Sequence, residues 1–376
     1  MKTNHNNNFD LVRLFAASQV VLMHTNFAGN IPLLGTVLGQ FPGVPIFYIV
    51  SGFLITHSYR REGGLGFYVR RMLRIYPALW VNVIAILLLI ALTGSFAPDL
   101  TWLRFAEWLG VTLASGCDIY GTFVAGRIVE PNGFYQSFPT GVLWTITVEL
   151  MFYLLLPAIV KSANWAQRFT GVILFGWWLA SYVTFLFYQH LEKVAHDNFL
   201  TKTLSINLAT DLWLFMFGVS AAIYWDRIGR FFTSRLGYWL LCYLTFALVE
   251  AYFVGTPGIG ARIMTPFAAI RGLLLAGVVL AFAFTKPTMA TILRGQDLSY
   301  GIYLYHYPII ATLAVLHINR PFLSGVIIII GTLFSAASSW FFIERPALNS
   351  KRAVTDFFQR NFRRHANIAV AGPVDS

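Results

Sequence analysis

Residues 9–25, FDLVRLFAASQVVLMHT, decide how the chain is read: an apolar run with Arg13 near its start and His24 near its end. On a helix of 3.6 residues per turn, eleven positions return a side chain to nearly the same face, about 16 Å further along the axis. One helix therefore aims two cationic or basic groups into one shared interior. Ionisable side chains in a membrane span are costly, face the bundle interior and point to a functional site.

The chain around this stretch is built for lipid. Of its 376 residues 57% are hydrophobic and only 11% charged, against about 25% charged in soluble domains. Windows of roughly 19 residues predict about ten spans, near 9–28, 42–58, 77–96, 141–160, 169–189, 207–225, 236–254, 266–284, 298–317 and 322–342. With a cytoplasmic N-terminus, 19 Lys and Arg fall in inner connections and 6 in outer ones, while Arg13 and Arg271 lie inside spans, which accounts for all 27. The positive-inside rule then puts both termini in the cytoplasm. The expectation is an all-α polytopic transmembrane helical bundle over residues 1–350, with a basic, mobile cytoplasmic tail over residues 351–376.

The net charge of +11 is a consequence of this topology and does not call for a nucleic-acid partner. Arg13 interrupts any signal-peptide core, and no small-x-small cleavage site follows it. Two cysteines, Cys117 and Cys242, supply neither a disulfide framework nor a metal site. Internal repeats, a Walker loop and a Rossmann glycine motif are absent from the sequence.

Candidate chemistry is spread along the chain, and each candidate has a bland reading beside a sharp one. Ser51-Gly52, at mid-depth in the second span, suits close helix packing or a site that offers donors to a substrate. Arg70, Arg71 and Arg74 share a helix face, as ordinary inner-side anchors or as a phosphate clamp, because arginine forks grip phosphate oxygens bidentately. Glu149, about 12 Å into the fourth span, is either a structural partner for an arginine such as Arg13 or Arg271, or the carboxylate that orients an imidazole. Tyr303 and His306 are three residues apart and face the same way, as packing residues or as part of a site. The connection over 97–140 is long enough for a short helix near 101–115 and for a lid or acceptor site.

In order, FDLVRLFAASQVVLMH, GVPIFYIVSGFLI, RRMLRIYP, LWTITVELMFYLLLP, SYGIYLYHYPI and ERP resemble the successive motifs of acyltransferase family 3. These are integral membrane O-acyltransferases that modify surface polysaccharides, nodulation factors and related acceptors. The resemblance runs from about Phe9 to Pro346 and is of the stand-alone type, without an added extracytoplasmic domain. Many members have an acidic residue where this chain has Pro45, so a role attributed to that carboxylate does not carry over.

The resemblance implies an acyl-coenzyme A donor, usually acetyl, taken from the cytoplasm, and a hydroxyl acceptor on a saccharide or lipid-linked saccharide such as O-antigen or exopolysaccharide. It implies that Arg71 and Arg74 bind the donor; Arg13 is expected deeper in the same ladder, and Ser51 and Gly52 are expected as hydroxyl or backbone donors that hold the oxyanion. His24 is expected as general base with Glu149 stabilising its imidazolium; a transient acyl-His24 is equally consistent. No tightly bound cofactor and no metal are expected. The expected location is the bacterial cytoplasmic (inner) membrane, crossed many times. The competing class is a polytopic transporter or flippase for lipid-linked oligosaccharide, which would use buried Arg, His and Glu as a substrate or proton path. Matching broken helices of the kind common in transporters are not evident in the sequence.

Overall fold

A computed structural model describes residues 7–25, 32–117, 141–196, 198–255, 262–286, 293, 296–318 and 320–370. Among them fourteen helices have seven or more residues: α1 (Phe9–His24), α2 (Pro32–Gln40), α3 (Gly43–Glu62), α4 (Gly64–Leu92), α5 (Trp102–Ser115), α6 (Trp144–Trp165), α7 (Thr170–Val194), α8 (Phe199–Ser205), α9 (Leu208–Ile223), α10 (Leu236–Val254), α11 (Ala268–Ala283), α12 (Ser299–Val315), α13 (Pro321–Ser339) and α14 (Lys351–Val370).

Every expected span falls on a helix. Seven helical segments among the described residues are long and apolar enough to cross a membrane. The remaining three windows fall on α1, α11 and α12, with 16, 16 and 17 residues, about four short of the ~20 that cross a 30 Å hydrocarbon core untilted. The outer surface explains the composition. Phe175, Val183, Leu241, Leu248, Tyr252, Ile330 and Phe334 are exposed on α7, α10 and α13, and helices apolar on their outward faces have lipid as their solvent. The chain is a multi-pass membrane protein.

Some boundaries differ from expectation. Pro77, expected to open the third span, lies inside α4, which begins thirteen residues earlier at Gly64. The short helix expected near 101–115 is α5, capped by Thr101, whose hydroxyl accepts the Arg104 N–H. The rest of that connection, 118–140, lies outside the described residues. The tail is helical from Lys351 to Val370, and Lys351 Nζ is 2.7 Å from the Glu62 carboxylate at the end of α3.

Two features seat α1 at the centre. Asn8 precedes it without capping it. Its amide instead donates to the carbonyls of Phe282 (3.2 Å) and Thr285, and its N–H to that of Ala283 (2.7 Å). It thereby satisfies carbonyls left open at the end of α11. Further along, Gln19 accepts the Gly43 N–H (2.8 Å) and donates to the Leu38 carbonyl (3.1 Å), fixing α1 against the start of α3. The tightest crossing joins α3 to α9. A Cβ at Gly52 would collide with the Phe215 carbonyl oxygen, and one at Gly218 with the Ile49 carbonyl oxygen. Only glycine permits that approach, the small-residue packing that membrane helices use in place of hydrophobic drive.

Buried charges elsewhere are paired, as a low-dielectric interior requires. Arg262 bonds Asp211 bidentately (2.9 and 2.7 Å) and lies over the Trp144 ring at 4.6 Å. Arg271 pairs with Glu250 and donates to Gln40 (2.6 Å).

Candidate active site

α1, α3, α4, α6 and α12 enclose two adjoining cavities. The first is lined by Arg13, Ser51, Arg71, Arg74, Thr145, Glu149, Tyr153, Tyr300 and Tyr303. The second is lined by Gln19, Met23, His24, Gly43, Gly141, Trp144 and Tyr303. Val44 and Tyr303 belong to both. Arg13 and His24 thus face one interior, as their spacing predicts, but in consecutive chambers about 16 Å apart along α1. Tyr303 is the wall between them. Its hydroxyl donates to the Val142 carbonyl (3.0 Å) and shares a hydrogen bond with the Thr145 hydroxyl (2.8 Å).

The arginine chamber is organised by a residue the motifs did not reveal. Asp297, just before α12, takes Arg13 Nη1 (3.0 Å) and Arg74 Nη2 (2.6 Å) on the same oxygen, Oδ2. Its Oδ1 accepts the Ser299 N–H (3.2 Å) and the Ser299 hydroxyl, so one carboxylate caps α12 and ties together α1, α4 and α12. Burial works to raise the Asp297 pKa, but Arg74, Arg13 and the Ser299 hydrogen bonds overcome it and hold the carboxyl at about 2. Arg74 also approaches Glu344 Oε2 (3.7 Å). Glu344, the acidic residue of ERP, closes a π-helical turn over Trp340–Glu344 and accepts from Ser339 (3.0 Å). Such turns recur at functional sites.

Arg71 differs from its neighbours. It forms no ion pair among the described residues. Its guanidinium carbon is 5.9 Å from the centre of the Tyr153 ring, and its buried Nε has no partner among the described residues. A buried cationic donor without a partner, facing a cavity, is a fitting place for an anion. Arg13 and Arg74 line the same cavity but already share an acid. Of the three expected donor-binding arginines, Arg71 is therefore the one without an acid partner among the described residues, and the other two are held in place by a shared acid.

Glu149 accepts from the hydroxyls of Tyr153 (2.5 Å) and Ser51 (3.3 Å) and bonds neither His24 nor the arginines Arg13 and Arg271 named as alternatives. Ser51 and Glu149 thus belong to the arginine chamber. Gly52 faces α9, and its N–H lies within an unbroken helix; packing is its role, and it offers no donor to a substrate.

The partner of His24 is His306: Nδ1 of the first is 3.1 Å from Nε2 of the second, with the rings stacked at 5.2 Å. His306 is fully buried, and its Nδ1 is 2.7 Å from the Tyr303 carbonyl oxygen. His24, at the last position of α1, is exposed. The arrangement can do two things chemically. It can hold an anionic group against Arg71, and it can present an accessible imidazole one chamber away, past Tyr303.

A family model described as an acyltransferase domain matches residues 6–343. Nodulation protein 10 of Rhizobium leguminosarum bv. viciae is 36% identical over 364 residues, covering 94% of this chain and 96% of that one. Peptidoglycan O-acetyltransferase OatA of Listeria monocytogenes is 26% identical over 374 residues, covering 90% of this chain and 55% of the relative. O-acetyltransferase OatA of Staphylococcus aureus is 24% identical, with 90% and 56% coverage. The chain thus spans about 55% of the length of these two OatA relatives. No solved structure matches it significantly. By the extent of the family match and by its close resemblance to the nodulation protein, the chain belongs to acyltransferase family 3 and is a membrane acyltransferase.

Proposed function

We propose that the chain is an O-acyltransferase of the bacterial inner membrane, with both termini cytoplasmic. It moves an acyl group, acetyl in the first instance, from acyl-coenzyme A to a hydroxyl of a cell-surface saccharide or lipid-linked saccharide. The observation that carries this reading is the pair of adjoining chambers, one with Arg71, which has no ion pair and an unpartnered Nε among the described residues, and the other with the accessible imidazole of His24. The names of the relatives, two of them O-acetyltransferases, support the acetyl group and the oxygen acceptor.

In this reading a phosphate of the donor takes the unpartnered Nε–H of Arg71, and the thioester arm extends toward Tyr303. Arg13 and Arg74, held by Asp297, shape the chamber around it. His24 takes the proton of the acceptor hydroxyl as that oxygen attacks the thioester carbonyl. The carbon–sulfur bond breaks, and the leaving thiolate recovers the proton from the imidazolium. General-base help of this kind is worth about 10² to 10⁴ in rate. Attack by the imidazole itself, through a transient acyl-His24, would use the same lone pair.

Donor and acceptor are tested together by feeding membranes isotope-labelled acetyl-coenzyme A and following label into lipid and polysaccharide fractions. Label in a saccharide-bearing fraction, released by mild base as an ester, is expected. Release of label only as free acetate, or no transfer from any acyl-coenzyme A, would refute the proposal and return attention to transport.

A further inference from the structure

We propose that His306 is a positioning residue that locks His24 in the Nδ1–H tautomer, leaving the Nε2 lone pair as the base. This rests on the reading of His24 as the group that takes the acceptor proton.

A carbonyl oxygen can only accept, so the 2.7 Å contact between His306 Nδ1 and the Tyr303 carbonyl requires the proton on Nδ1. His306 is fully buried, and its partners are backbone groups of Tyr303 and Ile302 and a second imidazole, with no acid among them. A cation there would have no counter-charge, which is expensive in a low-dielectric interior, so the ring is neutral and its Nε2 carries a lone pair. The 3.1 Å contact to His24 Nδ1 then has one consistent assignment: His24 donates from Nδ1. What remains on His24 is an unprotonated Nε2.

Neutral imidazole in water prefers the opposite tautomer, with the proton on Nε2. Without its partner, the His24 ring would keep only its backbone hydrogen bond to Val20 in its own helix, and the Nε2–H form would gain population. Packing limits reorientation as well. The Tyr307 ring stands edge-on to both imidazoles, at 6.1 Å from His24 and 6.4 Å from His306. When Nε2 takes the acceptor proton, the Nδ1–H bond to His306 stays in place and stabilises the imidazolium, and the proton later leaves with the thiolate. This is the role expected of a carboxylate, filled here by a neutral imidazole.

The test reads the tautomer and the rate separately. ¹⁵N-histidine-labelled protein in lipid nanodiscs, at a pH where His24 is neutral, gives nitrogen shifts that separate a lone-pair nitrogen from a protonated one; the His24 signals are those lost in His24→Ala. The wild type should show His24 protonated on Nδ1. His306→Phe should move it to Nε2–H and lower kcat by about 10² to 10⁴, the scale of general-base help and of a triad histidine left in the wrong tautomer, with the donor KM unchanged. His306→Gln, whose amide oxygen can accept from Nδ1, should recover much of both.

A wild-type His24 protonated on Nε2 overturns the proposal, as does His306→Phe with wild-type kcat. If His306→Phe does not fold, the wild-type spectrum and His306→Gln decide. A wild-type rate in His24→Ala would refute the base reading, while the nitrogen spectrum would still report the tautomer; the two failures are distinguishable.

Discussion

Asp297→Asn removes one charge and leaves the shape almost unchanged, so it isolates what that carboxylate does. Arg13 Nη1 and Arg74 Nη2 both touch Oδ2, at 3.0 and 2.6 Å, so they are at most 5.6 Å apart. All three side chains are largely buried, at 19%, 18% and 11% exposure. Two unit charges at that separation repel by on the order of 3 kcal/mol at an effective dielectric of 20. That agrees with the ~3–5 kcal/mol typical of removing one partner from a buried ion pair. Glu344, at 3.7 Å from Arg74, offsets part of it. The expected loss is about 3 kcal/mol, roughly a 150-fold shift in the unfolding equilibrium. Equilibrium unfolding in mixed micelles, followed by tryptophan fluorescence, measures it. Coenzyme A should recover part of the loss in the variant, because its phosphates replace the missing negative charge. The Asp297 carboxyl at about 2 lies below its ordinary value of 3.8. Its contribution is therefore present above pH 3.8 and fades only as pH falls through about 2. An Asp297→Asn protein as stable as wild type would refute the reasoning.

Further outcomes follow from the same geometry. Arg71→Ala should raise the donor KM with little change in unfolding, since Arg71 has no ion pair to lose, whereas Arg74→Ala should lose stability as well; equal stability losses in the two would contradict the distinction. Gly52→Ala and Gly218→Ala should each destabilise by about 3 kcal/mol, the upper end for overpacking, because the colliding atoms are backbone. Combined, they should cost less than the sum, since one separation of α3 from α9 relieves both; mixed-micelle unfolding of the three variants decides it.

The sequence carried the helices because lipid-facing and buried positions are alike apolar, so hydropathy alone finds them. The candidate residues it singled out also come together in space: Arg13, His24, Ser51, Arg71, Arg74, Glu149, Tyr303 and His306 line the two chambers or contact a lining group. Partnerships were less legible. Asp297 lies 284 residues from Arg13 and 223 from Arg74, in a connection without periodicity, and no helical spacing announces it. Glu149 looked like the partner of His24 because a carboxylate is the usual companion of a catalytic imidazole. Choosing His306 instead needs the crossing of α1 and α12, a tertiary fact. Asn8 is a capping residue type placed just before α1, yet it meets the end of α11, and sequence does not show which helix end such a residue satisfies. Gly52 was open between packing and site, and only the approach of α9 decides for packing.

The central claim is that His24 moves the acceptor proton. Its most direct test is single-turnover transfer from labelled acetyl-coenzyme A to endogenous acceptor, comparing wild type with His24→Ala at equal amounts of folded, donor-binding protein. A rate at least 100-fold lower in the variant, with donor affinity retained, is the predicted result. Transfer at the wild-type rate would contradict it.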